Sequence, residues 1–338
     1  DAGTATVKAQ RYNASGVAQG GEITVDSYAP SAYGTSVAMN ASGAFVVGWS
    51  DSSAGTGFEI YCQRFDASGT AQGGKTRVNT STSGIQEGAA VGMADDGSFV
   101  VAFEDSNSTS GDIYFQRYNA SGVAQGGNVR ANTYTTSNQF YPAVAVNASG
   151  SFVVTWQSSG QDAGSSKGIY IQAYNADGSA SGSETRVNTT TAGDQYWPSV
   201  AYEGGKAVVV WSGMGPGDAT DGGIFFQRYS EPVNTAPTFN GAAFGGGDGI
   251  ATTAVGSAAD DAYSLAVQSD GKVVVAGTSY NGTNYDYAVV RYNADGTLDT
   301  SFSGDGKLTT VVASGDDVAT GVAMQSDGKI VVAGYSNL

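Results

Sequence analysis

Short apolar runs recur along the whole chain at nearly constant intervals, separated by polar turns rich in glycine. One run in each copy ends in Gln-Arg-Tyr or a close variant, and the last residues of successive runs are 53 to 63 positions apart. These residues are Tyr12, Phe65, Tyr118, Tyr174, Tyr229 and Tyr292. A repeat of this length that is built from short strands is typical of the blades of a β-propeller.

Each copy contains four apolar runs, which we name a, b, c and d in chain order. In one copy they cover residues 35–39, 44–49, 58–65 and 75–79. Runs a and b are joined by Asn-Ala-Ser-Gly or Asp-Gly sequences, whose residues tolerate the positive φ angles of hairpin turns. The pattern therefore predicts blades of four antiparallel strands.

The two ends of the chain carry incomplete copies. The chain opens with a lone c–d pair at 5–12 and 22–26, and it closes with a lone a–b pair at 320–324 and 329–335. Joining them would place the next repeat tyrosine 58 positions after Tyr292, within the observed range of spacings. We therefore predict an all-β, six-bladed propeller that is closed by pairing of the N-terminal c–d strands with the C-terminal a–b strands.

On this interpretation residues 1–338 form a single domain. The predicted blades are approximately 318–338 plus 1–30, 31–82, 83–135, 136–190, 191–256 and 257–317. The proline-containing segment 230–240 is interpreted as an outer loop, with the alternative that it separates two partial propellers. A further alternative is that the terminal pairs of neighbouring molecules join by strand exchange and build a filament.

Charge narrows the classes of partner. The net charge is −16 and the chain contains no His, which argues against nucleic acid and anionic membrane surfaces as partners. No apolar run is long enough to insert into a membrane. The single cysteine, Cys62, stands where other copies have plain apolar residues, so we interpret it as a buried packing residue.

The last third of the chain carries a more specific pattern. It contains A-V-Q-S-D-G-K-V-V-V-A-G, then R-Y-N-A-D-G-T-L-D-T-S-F-S-G-D-G-K, then A-M-Q-S-D-G-K-I-V-V-A-G. From residue 245 to 338 the chain resembles the bacterial delta-60 repeat, and residues 1–230 resemble a related propeller repeat of large secreted, RTX-like surface proteins. The resemblance implies an extracellular or bacterial cell-surface location, with calcium-binding and adhesin modules nearby, and it implies no catalytic residues.

Candidate binding residues come from the loops that join run d to the next run a, which we expect to converge at one end of the propeller axis. Aromatic rings stack on the C–H faces of sugars, and amides and carboxylates bind hydroxyl groups, so these loops predict a glycan site. The alternative is that the aromatics separate adjacent blades and the acids cap loop backbone. The predicted ligand-binding residues are Tyr33, Gln86, Glu87, Gln139, Tyr141, Gln195, Tyr196, Trp197 and Tyr263.

The same loops contain acids that are candidate ligands for Ca²⁺, although the chain lacks the known calcium-loop motifs. The predicted metal ligands are Asp194, Asp260, Asp261, Asp316 and Asp317. Beyond Ca²⁺, no cofactor is predicted.

The sequence as a whole predicts a non-enzymatic, extracellular structural or adhesive module that binds a polysaccharide or cell-surface glycan. Without His there is no Ser-His or Cys-His catalytic pair, and this is the basis for predicting that the chain is not an enzyme. One alternative function is a filament subunit that self-associates through its terminal strands. A second alternative is a carboxylate-dependent glycan-processing enzyme, with candidates Glu87, Asp194, Asp260 and Asp316.

Overall fold

The structure is a computed structural model, and its secondary structure consists of β-strands. It describes residues 5–9, 11, 19–21, 23–29, 33–52, 57–106, 110–162, 166–189, 191, 193–203, 205–215, 218–230, 253–256, 260–268, 270–311, 314–324 and 330–336. No helix in these ranges is long and apolar enough to cross a membrane. Most of segment 230–240, predicted to be an outer loop, lies outside them.

Twenty-three strands are assigned in these ranges. They are β1 Ala5–Ala9, β2 Ile23–Ala29, β3 Tyr33–Met39, β4 Phe45–Asp51, β5 Glu59–Phe65, β6 Thr76–Arg77, β7 Ile85–Met93, β8 Phe99–Ser106, β9 Gly111–Tyr118, β10 Val129–Arg130, β11 Gln139–Val146, β12 Phe152–Ser159, β13 Lys167–Tyr174, β14 Ala180–Arg186, β15 Gln195–Glu203, β16 Lys206–Gly215, β17 Asp218–Ser230, β18 Asp260–Val267, β19 Val273–Tyr280, β20 Tyr285–Tyr292, β21 Lys307–Thr310, β22 Asp317–Met324 and β23 Ile330–Ser336.

The strands form five antiparallel blades, which confirms the predicted β-propeller class. Blade 1 is β3–β6, blade 2 is β7–β10, blade 3 is β11–β14, blade 4 is β15–β17 and blade 5 is β18–β21. Blade 4 has three strands in the described ranges and the other four blades have four each. The first strands of successive blades contact one another and are therefore the innermost strands.

The prediction of six blades is corrected to five. The terminal strands form two separate two-stranded sheets, β1–β2 and β22–β23, and no described ladder joins β23 to β1. Each pair has contacts of its own to the neighbouring blade, whereas the backbone pairing between β23 and β1 that would complete a blade is not seen among the described strands. Val7 of β1 packs against Phe45 and Trp49 of blade 1, whereas the backbone N–H of Val322 in β22 donates to Ser264 Oγ of blade 5 (3.1 Å).

The inner face of blade 1 reflects this arrangement. Val37 of β3 is 63% exposed, whereas its equivalents in blades 2 and 3, Val91 and Val144, are buried against the preceding blade. Met39 of β3 is also exposed, at 66%. The predicted closure of the ring is therefore not seen among the described strands.

The core lies between the blades. The second strand of each blade is apolar on both faces because neighbouring blades cover both sides of it, and so its sequence does not alternate. The indole rings of Trp49, Trp156 and Trp211 are fully buried at these interfaces. Cys62 is also buried, and burial raises the pKa of its thiol to about 12, so it is an inert packing residue.

Arginine side chains link successive blades. The guanidinium of Arg11 donates to Ala67 O (2.5 Å), and that of Arg117 donates to Ala176 O (2.8 Å). The same type of contact joins Arg64 to Ser121 and Arg228 to Ala294. Arg64, Arg117 and Arg228 lie on the third strand of a blade, and Arg11 follows β1 of the N-terminal strand pair. Each acceptor lies in the turn after the third strand of the next blade.

A β-bulge interrupts the first strand of every blade near its start. The register shifts between Tyr33 and Ser36, Glu87 and Ala90, Phe140 and Ala143, Tyr196 and Ser199, and Ala262 and Ser264. Neighbouring bulges touch: a Cβ placed on Gly34 would lie 3.5 Å from Gly88 Cα, and one on Gly88 would lie 3.5 Å from Pro142 Cδ. Because bulges redirect side chains, this row determines which residues face outward at this end of the blades.

Candidate functional site

Two bulky aromatic residues occupy a backbone conformation that normally belongs to glycine. In blades 1 and 2 the bulge contains Gly34 (φ 62°) and Gly88 (φ 69°). The equivalent residues of blades 3 and 4 are Tyr141 (φ 51°) and Trp197 (φ 50°). A side chain in this region costs about 1–3 kcal/mol, and such outliers cluster at binding and catalytic sites.

Both strained residues belong to a group of aromatic rings that we call the aromatic cup. Its members are Phe140, Tyr141, Tyr196, Trp197 and Tyr263, contributed by blades 3, 4 and 5. The ring centroid of Trp197 lies 5.7 Å from that of Tyr196, 5.7 Å from that of Tyr263 and 6.4 Å from that of Tyr141. Tyr141 is 51% exposed and Trp197 is 36% exposed, so the cup opens to solvent.

Polar groups border the cup on blades 3, 4 and 5. The hydroxyl of Tyr196 donates to Asp194 Oδ2 (3.4 Å). Lys167 Nζ lies 4.9 Å from the centre of the Tyr196 ring and 3.6 Å from Asp194 Oδ2. Burial raises the pKa of Asp261, Asp260 raises it further, and a hydrogen bond from Tyr263 opposes the rise. The cup thus has charged and hydrogen-bonding groups along its edge.

A pair of glutamates lies in blade 2, next to the Tyr141 side of the cup. Glu87 and Glu104 are directly opposed partners in the β7–β8 ladder, so their side chains share one face of the blade. Gly88, which follows Glu87, lies against Pro142, which follows Tyr141. This contact brings the carboxylate pair and the aromatic cup to neighbouring positions.

The two glutamates are unusual in their ionisation. Glu104 is only 4% exposed, and burial, with a smaller contribution from the charge of Glu87, raises its pKa to about 7 against a hydrogen bond from Ser106 Oγ (2.9 Å). Burial also raises the pKa of Glu87, which is half-buried. The pair therefore combines a buried carboxyl group that still holds a proton in about half of the molecules near neutral pH with a more exposed carboxyl group.

Glu104 was not among the sequence candidates. It lies in the second strand of blade 2, whose pattern indicates packing alone. The signal that identifies it is comparison between copies, because the equivalent positions are uncharged: Ser50, Gln157, Ser212 and Thr278.

The three predicted glutamines lie inside the molecule rather than at the surface. Gln86 Nε2 donates to Asp105 Oδ1 (2.9 Å), Gln139 Nε2 donates to Ser137 O (2.9 Å), and Gln195 Oε1 accepts from Trp211 Nε1 (2.8 Å). All three side chains are buried. The three glutamine side chains form hydrogen bonds within the protein and are not accessible to a ligand in this arrangement. The side chain of Tyr33 lies outside the described part of the structure.

The predicted metal ligands do not come together. Asp260 accepts from the backbone N–H groups of Val255 (2.8 Å) and Gly256 (3.3 Å), and Asp316 accepts from that of Tyr285 (3.0 Å). Asp317 is fully buried, while Asp194 pairs with Lys167. In the described ranges no three acidic, Cys or His side chains are close enough to hold a metal ion.

Comparison with family models and sequences gives a partial match. Residues 268–302 and 325–337 match a family described as "Domain of unknown function (DUF5122) beta-propeller". This match fits the predicted membership of a propeller repeat family, whereas the delta-60 name and the RTX-like relation stay predictions. No curated protein matches the chain in sequence.

Solved structures share the fold at low sequence identity. A protein of unknown function from Dyadobacter fermentans has a TM-score of 0.56 and 13% identity, with 84% of each chain covered. A Hadza microbial sialidase has a TM-score of 0.54 and 10% identity, covering 88% of this chain and 61% of the sialidase chain. An alpha-L-arabinofuranosidase from Fusarium graminearum, solved with an iminosugar inhibitor, has a TM-score of 0.51 and 10% identity, covering 87% of this chain and 84% of that chain.

These neighbours correct the prediction that the chain is not an enzyme. That prediction rested on the missing histidine, yet a sialidase and an arabinofuranosidase are built on the same propeller fold. Glycoside hydrolysis is commonly carried out by a pair of carboxyl groups, so the lack of histidine does not exclude it, and carboxylates are the groups to consider.

Proposed function

We propose that this protein acts on carbohydrate and that the aromatic cup is where the glycan binds. The observation that carries the proposal is the pair of exposed aromatics, Tyr141 and Trp197, held at positive φ where blades 1 and 2 have glycine. Packing alone gives no reason to maintain this strain, because over a third of each side chain faces solvent. Stacking of sugar C–H groups on the rings supplies a reason. The glycan-acting enzymes among the structural neighbours support the same proposal.

Trp197 provides a direct test. The chain has four tryptophans, and Trp49, Trp156 and Trp211 are at most 1% exposed. A sugar stacked on Trp197 should therefore shift the emission of this tryptophan to shorter wavelength and protect it from an aqueous quencher. We expect saturable shifts with at least one soluble oligosaccharide, and no shift in Trp197→Phe. A panel that leaves both emission and quenching unchanged would refute the proposal.

The carboxylate pair supports a second step, hydrolysis of the bound glycan. Protonated Glu104 would give its proton to the glycosidic oxygen as the bond to the anomeric carbon breaks. Glu87 would either attack that carbon or take a proton from the attacking water. This assignment replaces the sequence candidates Asp194, Asp260 and Asp316, two of which are fixed to loop backbone.

Release of reducing ends tests the second step separately from binding. We expect Glu104→Gln and Glu87→Gln each to lower turnover at least 100-fold and to keep the fluorescence response. Glu203→Gln, at an exposed position of β15, is the matched control and should retain activity. Binding without release of reducing ends by the parent protein would leave a binding module and remove the catalytic role.

Location and assembly remain parts of the proposal that rest on the sequence. The extracellular location follows from the resemblance to secreted propeller repeats, and the filament follows from the terminal strand pairs. Sedimentation over a hundredfold concentration range tests the filament. A mass that stays constant at one chain would reject it.

A further inference from the structure

We infer that the aromatic cup selects single, soluble, uncharged glycan chains and rejects both acidic glycans and flat crystalline polysaccharide surfaces. This inference rests on the proposed function and narrows its substrate class. Two properties of the cup carry it, namely the angles between its rings and the charges at its edge.

The rings of the cup are not coplanar. The planes of Tyr196 and Tyr263 are inclined to that of Trp197 by 38° and 39°, and Tyr141 stands nearly upright to it at 74°. A flat crystalline face contacts several rings at once only if their planes are parallel. The cup instead fits a single chain that lies on Trp197 and is enclosed by its neighbours.

The groups at the edge of the cup are mainly acidic. Asp194 accepts from Tyr196, Asp261 accepts from Tyr263, and Glu87 precedes Gly88, which lies against Pro142 beside Tyr141. The Lys167 ammonium is already paired with Asp194. The whole chain carries a net charge of −16. A uronate, sialate or sulfate group placed here would meet like charge in a partly dry site, where repulsion is stronger than in water.

Uncharged sugars fit the same groups. A carboxylate is an acceptor without a proton to give, and a glycan hydroxyl is a donor. Hydrogen bonds of this kind to an ionised group are about twice as strong as those between neutral groups. The negative charge of the acids at the edge of the cup thus favours hydroxyl-rich chains and disfavours carboxylated ones.

Matched probes test the inference by the Trp197 emission assay. The neutral probes are hexamers of glucose, xylose and arabinose, and the acidic probes are hexamers of galacturonate and guluronate. We expect at least one neutral hexamer to bind at least tenfold more tightly than either acidic one at 20 mM salt. The difference should narrow at 500 mM salt, because salt screens repulsion between charges.

Charge removal supplies the matched variant. Asp194→Asn with Asp261→Asn should improve binding of the acidic hexamers several-fold and weaken binding of the neutral hexamer, because the ionised acceptors of its hydroxyl groups are lost. Acidic hexamers that bind the parent as tightly as neutral ones would overturn the inference. The proposed function would still stand if calorimetric titration, which does not depend on Trp197 emission, showed that these hexamers lose binding in the Tyr141→Gly, Trp197→Gly variant.

Two further outcomes are decisive. If neither class of hexamer binds in a way that depends on Tyr141 and Trp197, the proposed function fails and the inference fails with it. If microcrystalline cellulose retains the parent but not the double glycine variant, the cup accepts flat surfaces and the selection of single soluble chains is wrong.

Discussion

At the scale of single residues, the backbone and the side chains of the cup have opposing requirements. The bulge favours glycine in blades 1 and 2, and blades 3 and 4 place Tyr141 and Trp197 there instead. Each is followed by a proline, Pro142 and Pro198, which a bulge tolerates because the ladder is already interrupted. The site therefore predicts mutations that separate stability from function.

Replacing Tyr141 and Trp197 together by glycine should leave the free energy of unfolding unchanged or raise it by about 1 kcal/mol, because glycine adopts positive φ without strain. Thermal and urea unfolding measure this. The control is Gly88→Ala. The added Cβ would make only ordinary van der Waals contact, 3.5 Å from Pro142 Cδ, so the variant should lose about 1 kcal/mol of stability from the positive φ of 69° alone. A loss above about 2 kcal/mol in the double variant would mean that the aromatics serve packing instead.

Glu104 gives a prediction for pH. Its pKa in the folded protein is about 7, above the ordinary value of 4.5, so the folded state binds more protons than the unfolded state between these values. Protonated Glu104 therefore makes its full contribution to the free energy of unfolding below pH 4.5. This contribution, up to about 3 kcal/mol, is lost as the pH rises through 7. Glu104→Gln should show a smaller fall in melting temperature between pH 5 and 8 than the parent. If the melting temperature fell equally with pH in the two proteins, Glu104 would not titrate between pH 5 and 8.

At the scale of elements, a repeated asparagine closes the outer end of three blades. Its side-chain oxygen accepts the N–H of an isoleucine on the third strand, and its side-chain nitrogen donates to a nearby carboxylate. The sets are Asn79 with Ile60 (2.8 Å) and Glu59 (2.5 Å), Asn132 with Ile113 (2.7 Å) and Asp112 (2.7 Å), and Asn188 with Ile169 (2.7 Å) and Asp162 (3.2 Å).

Asn132→Ala should destabilise the protein by about 2–4 kcal/mol, because it leaves the buried N–H of Ile113 without an acceptor and removes one donor from Asp112. The exposed Asn175, which donates to Ser179 Oγ (3.0 Å), is the control, and Asn175→Ala should cost less than about 1 kcal/mol. Urea unfolding of both variants measures the difference. Equal losses would show that the recurring network is not what holds the outer strand.

The sequence predicts the strands well and the site only in part. Turn residues and repeat spacing determine the hairpins, so the meander of each blade follows from local pattern. The bulges do not follow, because one extra residue reverses which side chains face outward. This is why Gln86, Gln139 and Gln195 are buried while Tyr141 and Trp197 are exposed, although the sequence pattern assigns all five to the same type of loop. In the structure they lie at the starts of β7, β11 and β15.

At the scale of the whole molecule, repeat counting predicts six blades and the described structure has five. Counting the repeats shows that each end of the chain carries half a blade, but it does not determine whether the two halves pair with each other. β1–β2 pack on blade 1 and β22–β23 pack on blade 5. The exposed Val37 and Met39 of blade 1 are the consequence.

This arrangement predicts a contrast between equivalent positions. Val37→Asp should change stability by less than about 1 kcal/mol because Val37 is 63% exposed, whereas Val91→Asp, at a position 7% exposed, should cost more than about 3 kcal/mol. Chemical denaturation of both variants checks it. Losses of equal size would mean that another strand pair covers blade 1 in solution.

The most direct measurement of the central claim is calorimetric titration of the parent and the Tyr141→Gly, Trp197→Gly variant with the neutral hexamer that gives the largest change in Trp197 emission. We predict saturable heat of binding for the parent and at least a tenfold loss of affinity in a variant that is as stable as the parent. Equal affinity in the two proteins would contradict the claim that the aromatic cup is the glycan site.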